Sequence, residues 1–247
     1  MPEPLLIRYL QPLLAGRRAE CFGLITGALQ RGAPAEELIC DVVWPAMAQV
    51  ERLYRDDRIN TALEHMACRI NRTVADQLQS CLPKQPPSGR RVIVASGDGP
   101  HEELGAQMAA DLFQAHGWEV YFVGGGVPDD EILALVGQVR PHVLLIFGAH
   151  PEAVPNTRAM IERIREVGVC PTMNIIVTGG IFNRADGLWQ EIGADTCCDS
   201  PRSTIATANQ LPPRQPNAPR LGIVKKRRRR RKTATAAPAA LPVPVPV

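Results

Sequence analysis

Residues 91–105 read RVIVASGDGPHEELG, and this stretch decides the fold. Arg91 to Ser96 is an apolar, β-branched run of the kind that forms a strand buried on both faces. It breaks at Gly97-Asp98-Gly99-Pro100, and the periodicity beyond predicts an amphipathic helix over 102–115, closed by His116-Gly117. The unit then repeats. A short strand over Glu119–Val123 ends in Gly124-Gly125-Gly126, and a helix over 129–138 leads to a strand over Val143–Phe147. A helix over 155–167 precedes the strand Asn174–Val177, which meets Thr178-Gly179-Gly180. A helix over 185–191 and the segment Ala194–Cys197 complete the series. Strands alternating with helices of roughly 10–15 residues are βαβ units, hence an α/β domain with a doubly wound parallel sheet. Such sheets bind ligands beyond the carboxyl ends of their strands, where the loops at Gly97, Gly124, Gly148 and Gly179 gather.

Upstream the period is helical. In residues 1–83 apolar side chains recur at Leu38, Val42, Val43, Met47, Val50, Leu53 and Tyr54. The pattern predicts an antiparallel bundle of three or four helices, around 18–31, 34–55 and 61–80. Thr61 followed by Glu64 fits a capping box for the last of these, and Pro45 should kink or split the second. Residues 84–89, KQPPSG, form a Pro/Gly-rich joint, so the sheet domain is expected over 90–210. From Leu211 the chain carries eight prolines and loses all apolar period, and 211–247 is expected to be disordered.

Composition removes several classes. The chain has 247 residues, 45% hydrophobic and 21% charged, enough to bury a core. Its longest apolar run, Val143–Ala149, falls far short of the roughly 20 residues needed to span a bilayer. The first residues lack the features of a secretory signal, and seven cysteines without a C-x-x-C pair suit neither a disulfide framework nor a zinc site. A reducing cytoplasm is the expectation. The charge is divided unevenly. Of 28 Lys and Arg, eight lie in one run: Lys225, Lys226, Arg227, Arg228, Arg229, Arg230, Arg231 and Lys232. That leaves 20 cations against 25 acids elsewhere, a mildly acidic body with a cationic tail.

The loop after the first strand holds the groups with chemistry. His101 would stand on the ligand face with a ring nitrogen to offer a metal, and His150 after the third strand is a fallback. Asp98 has two readings: an outer partner that fixes the imidazole tautomer, or an Asx turn or helix cap. Glycines here permit tight turns and close approach of a bulky planar ligand. His116 suits a helix C-terminus without a function, and Cys197-Cys198 read as small core residues.

This arrangement resembles the cobalamin-binding domain, a flavodoxin/Rossmann-like fold with the signature D-x-H-x-x-G after its first strand. Gly124-Gly125-Gly126-Val127-Pro128 is similar to that family's G-x-x-V-P segment, and Gly179-Gly180 to its Gly-Gly pair. Residues 10–83 resemble the helical module that precedes this domain in methionine synthases, methyltransferase corrinoid proteins and CarH-type repressors. Tyr54, with Glu64 ten positions on and then His65, is similar to the W-x9-E-H motif of the CarH type. Three departures stand out. The signature is stretched to Asp98-x-x-His101-x-x-x-Gly105. The strand-exit Ser, which in that family contacts the nucleotide tail, is Phe147 or Gly148 here. Tyr54 stands where the light sensors carry Trp above the corrin.

The resemblance implies bound cobalamin (adenosyl-, methyl- or hydroxocobalamin) between the two halves. His101 would ligate cobalt. Asp98, Gly105, Gly148, Gly179 and Gly180 would contact the cofactor from the sheet side, and Tyr54, Glu64 and His65 from the helical side. Glu64 also reads as part of the capping box, His65 as a packing residue and Tyr54 as core. No nucleophile–base pair stands out, so independent turnover is not expected. With no DNA-binding domain ahead of the helical module, the chain looks like an antirepressor of the AerR/PpaA type. Such a photoreceptor or redox regulator acts on a repressor-type transcription factor. The cationic run would add non-specific contact with DNA phosphates. A second reading is a corrinoid carrier that shuttles methyl groups between methyltransferases, with its chemistry in the cofactor and partner enzymes, and a third is a degenerate relative that binds haem or no cofactor and works only through protein contacts.

Overall fold

The computed structural model describes residues 3–99 and 103–216. His101 and the cationic run Lys225–Lys232 lie outside the described residues. The chain opens with helices α1 (Leu5–Leu14) and α2 (Arg18–Gln30). Helix α3 (Ala35–Leu38) then runs through a π-helical turn, Ile39–Val43, into α4 (Trp44–Arg55), and α5 (Thr61–Gln79) follows. The disturbance expected at Pro45 is that wide turn. A ring without an N–H enters at the start of α4, and the turn just ahead of it has already left the ordinary helical ladder. Helix α1 was not anticipated, because Pro4 and Pro12 mask its period. It is anchored by Tyr9, fully buried, whose hydroxyl donates to Asn71 Oδ1 at 2.8 Å. The cap of α5 differs from the expected box: Asn60 is the N-cap, its side chain accepting from the Leu63 amide at 2.9 Å. Thr61 is then the first helical residue, and the Glu64 carboxylate is left for other partners.

The sheet half runs β1 (Arg91–Ser96), α6 (Leu104–Ala115), β2 (Glu119–Gly124), α7 (Asp129–Val139), β3 (Val143–Phe147) and α8 (Ala153–Val167). It continues through β4 (Asn174–Thr178), α9 (Gly180–Arg184), α10 (Leu188–Glu191), β5 (Thr196–Cys198) and α11 (Pro201–Gln210). The helix expected over 185–191 is two short ones, split by Gly187 in a left-handed conformation at φ +77. Helix α11 was unforeseen. Ser200 caps it by a reciprocal box with Ser203, and Pro201 presets its first turn.

All strand pairs are parallel, in the order β2-β1-β3-β4-β5. The order reverses between β1 and β3, so the crevice that this topology leaves for a ligand lies at the exits of those two strands. Alternating side chains serve opposite faces. Val92, Val94, Val143, Leu145 and Phe147 join one continuous core with α6, α11 and the whole helical bundle. Ile93, Ala95, Leu144, Ile146, Ile175 and Val177 join the other with α7 and α8. Because one core runs through both halves, bundle and sheet form a single compact unit. The joint over 84–89 is pinned rather than loose: Gln85 N–H donates to Ala115 O and Ser88 N–H to Gly117 O, both at 2.8 Å. Residues 211–215, expected to be disordered, are also held. Arg214 reaches Asp195 at 3.0 Å, and Asn174 donates to Pro212 O at 2.9 Å.

One buried carboxylate carries a cost. Asp111 on α6 has an Oδ2 without a hydrogen-bond partner, and burial, reinforced by Asp76 on α5, pushes its pKa up to about 7. The folded chain therefore holds this proton more tightly than the unfolded one. The associated stability is full below the ordinary carboxylate pKa and is lost as pH rises through about 7. Asp111→Asn is expected to stabilise the protein at pH 8 by on the order of 1–2 kcal/mol and to change little at pH 4, read by thermal melts across that range.

Candidate functional site

A cavity of about 1050 Å³ opens between the bundle and the strand exits. Its roof is built from two helix faces. On α4, Trp44, Met47, Glu51 and Tyr54 follow one another at three- and four-residue steps, and on α5, Glu64, Cys68 and Arg72 do the same. The opposite faces, with Ala46 on α4 and Ala67, Ile70 and Val74 on α5, are buried in the core. The floor comes from the switch point. Gly97, Asp98 and Gly99 follow β1, Ala149 and His150 follow β3, and Gly180 follows β4, with Ala153 and Asn156 of α8 at one side.

Asp98 holds the floor together. It is 8% exposed, and its two oxygens accept from the backbone amides of Ala149 (2.6 Å) and His150 (3.2 Å). The carboxylate thus ties the loop after β1 to the loop after β3, a role its position in the sequence does not reveal. On the roof, Glu64 accepts from the Cys68 thiol at 2.9 Å and lies 3.6 Å from His65 Nε2. His65 stands at the mouth. Tyr54 is not core: it is 37% exposed, and its hydroxyl shares a 3.3 Å hydrogen bond with Thr61 Oγ1.

The structure therefore brings Tyr54, Glu64, His65, Asp98 and Gly180 to one cavity, together with the fallback His150. Gly105, Gly148 and Gly179 stand behind its wall. Phe147 occupies the space a side chain at 105 would need, Phe182 does so at 148, and the Gly148 backbone crosses directly over Gly179. These glycines serve close packing between elements of the chain itself.

Two polar ties flank the cavity, and sequence reasoning missed both. Arg184 of α9 pairs with Glu51 of α4 at 2.7 Å while donating to Ala149 O at 3.0 Å. A Cβ at Gly180 would lie 2.7 Å from that guanidinium, so this glycine also makes room for the ion pair. On the other side, Arg72 of α5 lies 3.6 Å from Glu103, whose other oxygen accepts from Gly125 N–H at 3.2 Å. Gln107 of α6 accepts from Arg72 and donates to Asp76. Only the residue spacing on α4 and α5 hinted at Glu51 and Arg72; nothing marked Arg184 or Glu103.

Among the described residues, no helix is long and apolar enough to cross a membrane, and no cluster of three or more His, Cys, Asp or Glu could hold a metal ion unaided.

Comparison with known proteins agrees with the architecture. Two models, each described as a B12 binding domain, match residues 5–79 and 90–208. Dimethylamine corrinoid protein 1 of Methanosarcina acetivorans is 22% identical over 139 residues, 55% of this chain and 64% of that protein. The HTH-type transcriptional repressor CarA of Myxococcus xanthus is 25% identical over 122 residues, 49% of this chain and 41% of that one. The matched region thus spans less than two thirds of either relative. The solved monomethylamine corrinoid protein of Methanosarcina barkeri superposes with a TM-score of 0.75 at 16% identity, covering 83% of this chain and 96% of its own.

The cavity suits such a group. Its volume is at the top of the range for small-molecule pockets, roughly 300–1,000 Å³. Trp44, Met47, Phe147, Leu104 and Ala153 offer apolar wall to a broad ring, and Glu51, Arg72, Asn156 and Asn183 offer hydrogen bonds to polar groups at its edge. A corrin brings its own equatorial nitrogen donors to cobalt, so a wall with single imidazoles rather than a ligand cluster is chemically sufficient.

Proposed function

Because the chain belongs to the proteins built from paired B12-binding domains, and so binds cobalamin, we propose that it is a cobalamin-dependent regulator. Cobalamin held in the cavity would supply a bond sensitive to light or redox chemistry, and Tyr54, Glu64 and His65 would pass a change there to the seating of α4 and α5 over the floor. That seating favours or releases a repressor-type partner. The observation that carries this reading is the shared cavity: Tyr54, Glu64 and His65 of the bundle face the same space as Asp98, Ala149 and His150 of the sheet.

The shared core keeps bundle and sheet together, and the polar ties beside the cavity are the contacts most easily rearranged. Exposed or half-buried ion pairs contribute about 0–1 kcal/mol each, so the Glu51–Arg184 and Arg72–Glu103 ties resist opening only weakly. A differential contact of a few kcal/mol between the cofactor's states and the roof is enough to shift the population. Bound cobalamin supplies a cobalt–ligand bond that light or reduction can break. The chain's own residues do the rest: Asp98 fixes the floor loops, Glu64 holds the Cys68 thiol, and His65 presents an imidazole at the mouth. His101 as cobalt ligand and Lys225–Lys232 as a contact for DNA phosphates belong to the proposal and lie outside the described residues. We assign no independent turnover to the chain. The match to CarA supports the regulatory reading.

The match to dimethylamine corrinoid proteins favours a second one, a carrier of methyl groups between methyltransferases. Illumination separates them. Because adenosylcobalamin is cleaved by green light on its own, the readout is the protein: the loaded chain is expected to change its hydrodynamic size or partner affinity several-fold on illumination, with that response lost in His101→Ala. A methylcobalamin-loaded chain that passes its methyl group to a thiol in darkness, with no light-dependent change in the protein, would instead establish the carrier.

A further inference from the structure

Phe147 ends β3 at the cavity floor, is 3% exposed, and meets Trp44 edge to face with ring centroids 6.0 Å apart. Its ring fills the space opened by the missing side chain at Gly105, where any Cβ would fall against the ring atoms. This closes the seam between α6 and the sheet. The seam on the other side, between β1 and α8, is closed too: a Cβ at Gly97 would lie 2.5 Å from Thr157 Oγ1 and 3.1 Å from the Ala153 methyl. Both seams that flank β1 are therefore filled by side chains of the chain itself.

Cobalamin is a corrin ring with a long appended arm, a propanolamine, phosphate, ribose and benzimidazole. A ring can be held in the cavity between roof and floor. An arm entering the sheet half along either seam beside β1 must displace Phe147 or Thr157, and close-packed interiors resist insertion at a cost of about 1–3 kcal/mol or more. We infer that Phe147 is a specificity-determining residue that restricts the site to the corrin ring, leaving the nucleotide arm at the cavity mouth. The chain then accepts corrinoids whatever their lower base. This rests on cobalamin binding in the cavity and is independent of whether the chain regulates or carries.

Absorbance titration of the full chain with hydroxocobalamin and with diaquocobinamide, which lacks the arm's nucleotide, tests it directly. The two Kd values are expected to agree within about threefold, since the arm gains no buried contact. Phe147→Ala opens a slot of ring size beside Gly105 and is expected to shift the ratio at least tenfold in favour of hydroxocobalamin. Thr157→Val, which alters the other seam, is expected to leave the ratio unchanged. An unaltered chain that prefers hydroxocobalamin by a hundredfold or more overturns the inference without need of any variant. A Phe147→Ala ratio equal to that of the unaltered chain overturns it as well. A preference abolished by Thr157→Val would place the arm in the β1–α8 seam instead. Failure to bind either corrinoid would strike at the site itself, and is thereby distinguished.

Discussion

Gly179→Ala is expected to lower the melting temperature by roughly 10 °C and to cost most of the cofactor affinity. Gly179 has φ +109 and ψ 174, a region that only glycine adopts comfortably. An alanine there carries about 1–3 kcal/mol of backbone strain. Its methyl group would also meet the backbone of Gly148, including the amide nitrogen at 3.0 Å, adding about 1–3 kcal/mol of overpacking that no side-chain rotation can relieve. The sum, on the order of 2–6 kcal/mol, converts at about 2–4 °C per kcal/mol for a chain of this length. The damage also falls where the loops after β3 and β4 cross, directly behind Ala149 and Gly180 of the cavity floor. Gly168→Ala provides the control. Gly168 has φ +66 but nothing within 4 Å of its notional Cβ, so about 1 kcal/mol of strain is all that is expected. Differential scanning calorimetry on the two variants distinguishes steric collision from strain alone; equal losses would refute the crossing-loop explanation.

Asp98→Ala is expected to weaken hydroxocobalamin binding by about a hundredfold or more, with a stability loss of on the order of 2–4 kcal/mol. The carboxylate accepts two backbone N–H groups from the loop after β3, and hydrogen bonds to a charged group contribute about 1.5–3 kcal/mol each. Truncation leaves two amide donors at the cavity floor without their acceptor and frees the loops that form it. Asp98→Asn keeps one accepting oxygen but turns an NH2 toward a donor, so an intermediate loss is expected. Absorbance titration of the three proteins reads the order directly. Binding by Asp98→Ala as tight as that of the unaltered chain would show that the floor does not depend on this bridge.

What could be read from the sequence followed physical period. The run VLLIF at 143–147 is a strand with the expected bounds, because a β-branched and apolar run between turn residues has few alternatives in a helix-covered sheet. Helix α1 was hidden by its prolines. Helix α11 was hidden because PRSTIATANQ has little apolar period, and its stability comes from the Ser200 cap and from packing Ile205 and Ala208 into the shared core. In the site, Tyr54, Glu64 and His65 stood out only through the resemblance to the W-x9-E-H motif, since their spacing alone reads as core, cap and packing, and Asp98 stood out as a loop carboxylate. The Glu51–Arg184 pair was not, since its partners are 133 residues apart and only the docked fold brings them together. The glycines were read as room for a ligand. Gly105, Gly148 and Gly179 instead make room for Phe147, Phe182 and a crossing backbone, a distinction that depends on which elements become neighbours.

The decisive measurement is amide hydrogen exchange on the adenosylcobalamin-loaded chain, kept in darkness and after green illumination. If the helical half reads the cofactor, exchange over Trp44–Arg55 and Thr61–Gln79 should change several-fold between the two samples, while β1 and β3 in the buried sheet stay equally protected. Identical exchange over both helices, with cobalt demonstrably altered by light, would contradict a roof that senses the cofactor's upper face.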